Sequence, residues 1–176
     1  DMRNVRYLTG FTGSNAALLV HGEDDERTVF CTDGRYLTQS ATQVPDLERL
    51  IERPCGPALA KLVGDRGYRR TGYESHRVTV DELDVFTGLA ENVELVRAPG
   101  LVEDLRMVKD DAEIEALRMA CAAADRALAD LIEHGGLRAG RTEREVAREL
   151  ESRMLDHGAA APSFDTIVAA GAHSAI

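Results

Sequence analysis

The chain has 176 residues, 44% of them apolar and 30% charged, and a net charge of −10; its isoelectric point is near 5.0. That is the composition of an ordinary soluble globular protein, and a chain of this length buries roughly 68–70% of its unfolded surface on folding. An acidic chain with no basic stripe is poorly suited to nucleic acid, where clustered Lys and Arg must neutralise phosphates, and no apolar run approaches the ~20 residues needed to cross a bilayer.

The first residues, Asp1-Met2-Arg3-Asn4, contain no signal-peptide core and do not begin with methionine, which predicts that the amino end is internal to a longer protein. Three cysteines, Cys31, Cys55 and Cys121, are odd in number and far apart, with no CxxC. That spacing suits neither a disulfide framework nor a zinc ribbon and favours a reducing cytoplasm. Cys31, in the run Val29-Phe30-Cys31, and Cys121, on an alanine-rich helix, are expected as buried spectators and not as nucleophiles.

Taken in order, residues 10–15 read as a turn and 16–20 as a short apolar strand. A polar connector over 21–27 leads to a second strand over 28–32, the two forming a hairpin with a longer loop. The Gly10…Gly13-Ser14 segment lacks the Lys-Ser/Thr of a phosphate loop and runs into a strand, so it is expected as a plain turn. A helix over 36–43, a strand over 47–52 and a helix over 57–63 follow. Beyond them lie a strand over 69–73, a helix over 80–89 with a Thr79/Glu82 capping box, and a strand over 93–96. Alternating strands and helices predict an α/β unit over residues 1–98.

After the Pro99-Gly100 break the pattern becomes helical. Asp110 and Glu113 form a helix start, and Ile114, Leu117, Cys121, Ala124, Leu128, Leu131 and Ile132 recur at spacings of three and four. Gly135-Gly136 ends this helix. Thr142 and Glu145 cap a second one carrying Val146, Leu150, Met154 and Leu155, with Gly158 placed to end it. The last stretch turns at Pro162 and reads as a strand through Thr166-Ile167-Val168. A strand left with a bare edge is avoided in stable domains, so the chain is expected to continue beyond Ile176.

The residues themselves carry no catalytic motif: HExxH, GxSxG and Walker sequences are absent. His134 and His157 fall in the last turns of helices, where the dipole favours a cation, and His173 stands alone on the final segment. His21 and His76 fall in loops.

Four segments, in order and spread over the chain, resemble the creatinase/aminopeptidase P/prolidase family of proline-specific metallopeptidases. They are Asn4-Val5-Arg6-Tyr7-Leu8-Thr9-Gly10-Phe11-Thr12-Gly13-Ser14-Asn15-Ala16; Thr32-Asp33-Gly34-Arg35-Tyr36; Leu105-Arg106-Met107-Val108-Lys109-Asp110 with Glu113-Ile114 and Leu117-Arg118; and Pro162-Ser163-Phe164-Asp165-Thr166-Ile167-Val168 with Gly171 and Ser174-Ala175. The resemblance implies an α/β fold: a creatinase-type N-terminal domain with a mixed sheet over residues 1–98, lacking its first elements, then the start of the α+β pita-bread domain over 99–176. It further implies two bridged divalent ions, manganese-like or cobalt-like, whose ligands lie beyond this chain. Such ions draw the pKa of bound water from about 15.7 towards about 7.

On this likeness the chain is expected to be an inactive fragment of a cytoplasmic, homodimeric Xaa-Pro dipeptidase or aminopeptidase acting on proline-containing peptides. A non-catalytic peptide-binding relative and a creatinase-type amidinohydrolase are the other readings. Phe164 and Ile167 match family positions that wall the pocket for the substrate's proline; the other reading of both is core packing. On one straight strand they would face opposite ways, so a shared pocket requires a bend near residues 162–165. Arg106 matches an arginine that can approach the active site, against the plainer reading of a surface ion pair.

Overall fold

The computed structural model describes residues 1–175; the expectation attached to Ile176 lies outside them. The chain divides into two compact units, Asp1–Val108 and Lys109–Ile176, and Pro99-Gly100 opens a helix within the first. That unit contains helices α1 (Met2–Thr9), α2 (Leu37–Gln43), α3 (Cys55–Asp65), α4 (Val80–Leu89) and α5 (Leu101–Met107). Its strands are β1 (Ala16–Leu19), β2 (Val29–Thr32), β3 (Glu48–Ile51), β4 (Arg70–Tyr73) and β5 (Glu94–Arg97). The second unit is built on α6 (Asp111–Glu133) and α7 (Glu143–Asp156).

The first unit is α/β with a mixed sheet. β1 and β2 pair antiparallel, Ala16 opposite Thr32, while β2 and β3 pair parallel, Val29 opposite Glu48. β4 and β5 form a separate parallel pair with Arg70 opposite Glu94. Each parallel pair is joined through a helix, as a parallel crossover requires. All four residues of β2 are buried. Since alternate residues face opposite sides, Phe30 joins Val5, Phe11 and Val44 in one cluster, and Val29 and Cys31 join Cys55 and Leu59 in the other.

The capping boxes read at Thr79, Asp110 and Thr142 are all formed, each cap side chain accepting from the backbone amide three residues on. Replacing such a cap by alanine costs about 1 kcal/mol. Gly158 follows α7 with φ 94°, the left-handed turn that glycine adopts without a steric cost.

The structure corrects the sequence in four places. α1 and α5 were not expected; α1 forms because Asp1 accepts from the amide of Arg3 and Gly10 closes the other end at φ 73°. The terminal strand does not exist. An extended segment becomes a strand only with a ladder partner, and the described residues of the second unit are helices, turns and irregular chain. Residues 165–170 are irregular and Gly171–Ala175 form a 3-10 turn. Cys121 is exposed, not buried. α6 buries the line Ala123, Ala127 and Leu131; of the expected stripe Leu131 is buried, while Leu117, Cys121, Leu128 and Ile132 lie at the surface. Small residues on that line let α7 approach closely, which outweighs the larger side chains beside them.

Gly13 owes its place to close packing. A Cβ there would fall 2.3 Å from Phe11 Cζ and 3.0 Å from Tyr36 Cδ1. The Phe11 ring cannot yield, being fully buried edge-on to Phe30 and Tyr36 at centroid distances of 4.9 and 5.4 Å. Gly13→Ala is expected to lower the urea unfolding free energy of the chain by about 1–3 kcal/mol, and a change within 0.5 kcal/mol would refute this packing account.

Candidate functional site

In the second unit the chain leaving α7 is held at both ends. At its start, His157 Nε2 lies 2.7 Å from Asp130 Oδ2 on α6. Arg153 Nη1 stands 3.9 Å from the same carboxylate oxygen and bonds Glu149 at 2.7 Å. Hydrogen bonding from His157, then the charges of His157 and Arg153, hold the Asp130 carboxyl below its usual range. At its far end, the amide of Ala170 donates to Glu143 Oε1 at 2.7 Å, and His173 Nδ1 sits 3.1 Å from that oxygen. Glu143 is one residue past the α7 cap, so its carboxylate stands at the positive end of the helix dipole. The Ala170 amide is the main cause of its lowered pKa.

Between these two anchors the segment arches over the helices and leaves an open groove of about 800 Å³. Its floor is the alanine-rich face of α6 (Ala116, Ala120, Ala123 and Ala124), with Leu150 and Met154 from α7. Phe164 and Ile167 both line it. Residues 160, 161, 163 and 164 are bends, and that curvature turns both side chains to the same cavity. Phe164 remains 75% exposed and Ile167 85%, so neither belongs to the core of this unit. Large apolar side chains displayed beside an apolar groove are the usual mark of a surface that receives another apolar group. Thr166 and Val168 between and beside them are half-buried.

Arg106 belongs to the first unit, where its Nη1 donates to Asn4 Oδ1 at 2.8 Å. Asn4, 2% exposed, passes the contact on: its amide nitrogen donates to Glu103 Oε1 at 2.8 Å and to Glu74. His76 bonds the same Glu103 oxygen at 3.0 Å. The guanidinium of Arg106 is thus oriented by a buried amide. Nothing in the sequence marked Asn4, Glu74, Asp130 or Glu143 as organising residues; for Glu143 the one signal was an acid in the first turn not needed by the capping box.

Among the described residues, no three His, Cys, Asp or Glu side chains converge where a divalent ion could be held. No catalytic step is therefore assigned to a metal held by these residues. No helix among them is long and apolar enough to cross a membrane.

Residues 1–108 match the family described as the creatinase/prolidase N-terminal domain, and residues 115–176 match metallopeptidase family M24. The chain belongs to this creatinase/prolidase family of metallopeptidases. It is 36% identical to the uncharacterized peptidase YqhT of Bacillus subtilis over 98% of its own length and 48% of that protein. The Xaa-Pro dipeptidase from Bacillus anthracis superposes on all of it with a TM-score of 0.89 at 33% identity, again over 48% of that chain. The N-terminal domain of the cytoplasmic peptidase PepQ from Mycobacterium tuberculosis is 56% identical, covering 60% of this chain and 82% of that domain, with a TM-score of 0.57. The chain thus spans about half the length of the full-length relatives it matches.

The Asn4 network has a titration signature. The Asn4 amide, then the backbone amide of Glu103, hold the Glu103 carboxyl down at about 2. A depressed folded-state value stabilises the fold above the usual glutamate pKa of about 4.3, and that stabilisation is lost as the pH falls through about 2. In Asn4→Leu, carbon-detected NMR titration is expected to find Glu103 back near its ordinary value. The urea midpoint of the variant should then fall less than wild type's over that window; an unmoved Glu103 would exclude Asn4 as the cause.

Proposed function

We propose that the whole protein to which this chain belongs is a dinuclear-metal peptidase cleaving Xaa-Pro bonds, as a dipeptidase or an aminopeptidase, in the cytoplasm and as a homodimer. The observation that carries the reading is the groove of the second unit, rimmed by Phe164 and Ile167. It lies in a chain that superposes along its full length on an Xaa-Pro dipeptidase.

An Xaa-Pro bond is a tertiary amide: proline has no N–H and its φ is fixed by the ring. An enzyme that grips its substrate as an extended strand loses a hydrogen bond there, and needs an apolar slot for the ring instead. Phe164 and Ile167 are assigned to that slot. Their size and exposure suit them to cover an aliphatic ring, and the alanine floor leaves room for it. Arg106, which Asn4 orients within the first unit, is assigned to substrate binding on the family resemblance alone. In this reading the ligands for two manganese-like or cobalt-like ions come from residues outside this chain, and the 176-residue chain alone is inactive.

Two measurements test this reading. The complete protein, given Xaa-Pro dipeptides, is expected to release proline in a reaction abolished by chelator and restored by Mn²⁺, while this chain alone releases none. Absence of any metal-dependent cleavage, with peptide binding retained, would point to a non-catalytic peptide-binding relative instead. In the active protein, Phe164→Ala and Ile167→Ala are each expected to lower kcat/KM for Xaa-Pro by about tenfold relative to Xaa-Ala, the scale of a trimmed hydrophobic pocket. The circular dichroism spectrum should not change. Equal losses on both substrates would remove these two residues from the proline slot.

A further inference from the structure

Cys31 and Cys55 are 24 positions apart in sequence but share one small volume in the first unit. Cys31 is on β2 and Cys55 opens α3, and the two belong to the same buried cluster with Val29 and Leu59. Both sulfurs point at one acceptor, the carbonyl oxygen of Glu52, at 3.7 Å from Cys31 and 3.3 Å from Cys55. The metallopeptidase reading makes no use of either thiol, and a pair of thiols is not needed to fill an apolar cluster.

The surroundings of the two sulfurs differ. The proximity of the two thiols, together with burial, pushes the Cys31 thiol up, and the same proximity draws Cys55 down. Cys55 has two further supports, its own backbone amide at the start of α3 and the side chain of Asn15. Unpaired amides at a helix start favour a thiolate. The nearby carboxylate of Asp33 works against it, but that charge is largely occupied: it accepts from Asn15 Nδ2 at 2.7 Å and from Arg35 Nε and Nη2 at 2.9 and 2.8 Å. Cys55 is 5% exposed and Cys31 not at all, so the residue whose thiol is drawn down is also the less buried of the two.

We propose that Cys31 and Cys55 form a reversible redox dithiol, with Cys55 reacting first and Cys31 resolving it, and that the oxidant is hydrogen peroxide. The Cys55 thiolate attacks the O–O bond; an S–O bond forms, hydroxide leaves and is protonated to water. Cys31 sulfur then attacks Cys55 sulfur: the S–S bond forms, the S–O bond breaks, and the departing hydroxide takes the Cys31 proton as a second water. Two thiols are oxidised by two electrons and one peroxide is reduced to two waters. The product ties β2 to the first turn of α3 across a ring spanning residues 31–55.

The test uses the full chain carrying Cys121→Ser, which removes the exposed thiol. Treated with hydrogen peroxide in native buffer, it is expected to lose both remaining thiols by Ellman titration and two hydrogens in mass. Non-reducing peptide mapping should join the peptides of Cys31 and Cys55, and dithiothreitol should reverse all three changes. With Cys31→Ser added, peroxide should leave a Cys55 sulfenic acid that dimedone traps; with Cys55→Ser added, Cys31 should stay unmodified. Two thiols still free in the folded chain would overturn the proposal. So would a disulfide that forms only in denaturant or between chains, and a Cys31 that reacts as fast without Cys55.

Discussion

A single carboxylate on α6, Asp130, meets the ring of His157 where α7 ends, and the path of everything after residue 157 starts from that contact. It fixes where the chain departs from the helix pair. Glu143, at the other end of α7, takes hold of the same segment again through the Ala170 amide. A loop anchored at two points on one helix pair must arch between them. The groove lined by Phe164 and Ile167 is the space left under that arch. Both anchors are charge-assisted hydrogen bonds, stronger and more directional than the apolar contacts beneath them. They set the geometry, while the alanines of α6 set the depth.

The first unit depends on a different constraint, the burial of β2 on both faces. A strand covered on each side must place every residue well. The edge-on contacts of Phe11 with Phe30 and Tyr36 organise one side, and the two thiols lie on the other. Asn15 ties the sides together. Its side-chain amide donates to Asp33 at 2.7 Å and to the Arg53 carbonyl at 3.2 Å, and its backbone carbonyl accepts from Thr32 Oγ1 at 2.7 Å. The family-like segments Gly13-Ser14-Asn15 and Thr32-Asp33-Gly34-Arg35-Tyr36 are thus neighbours through a continuous set of hydrogen bonds. Tyr36 Oη completes it with Ser14 Oγ at 2.7 Å.

Much of the fold was legible along the chain. The boxes at Thr79, Asp110 and Thr142 depend on residues three apart, so reading them required no knowledge of the rest of the protein. The hairpin of β1 and β2 and the crossover helices followed from alternation and turn residues in the same way. α1 was not legible, because Val5, Tyr7 and Thr9 carry weak helical preference and the helix depends on Asp1 and Gly10 at its ends. The terminal strand was misread for a related reason: Thr166-Ile167-Val168 has strand composition, but composition supplies no partner strand. At the site, Phe164 and Ile167 could be named from resemblance, and alternation required a bend near residues 162–165 for both to share a pocket; that the chain does bend there could not be read.

The amino-acid sequence by itself determined the local starts and stops of the helices other than α1 and α5, the mixed α/β character of the first part, and the family to which the chain belongs. Each of these is carried by residues close together in sequence or by segments in a fixed order. Only the tertiary structure decided which face of α6 is buried, that Cys31 meets Cys55, and that residues 157–170 form an arch and not a strand. Those outcomes rest on contacts such as Asp130 with His157 and Glu143 with Ala170, 27 residues apart in each case. No periodicity links such positions, so the partners are found only once the helices have packed.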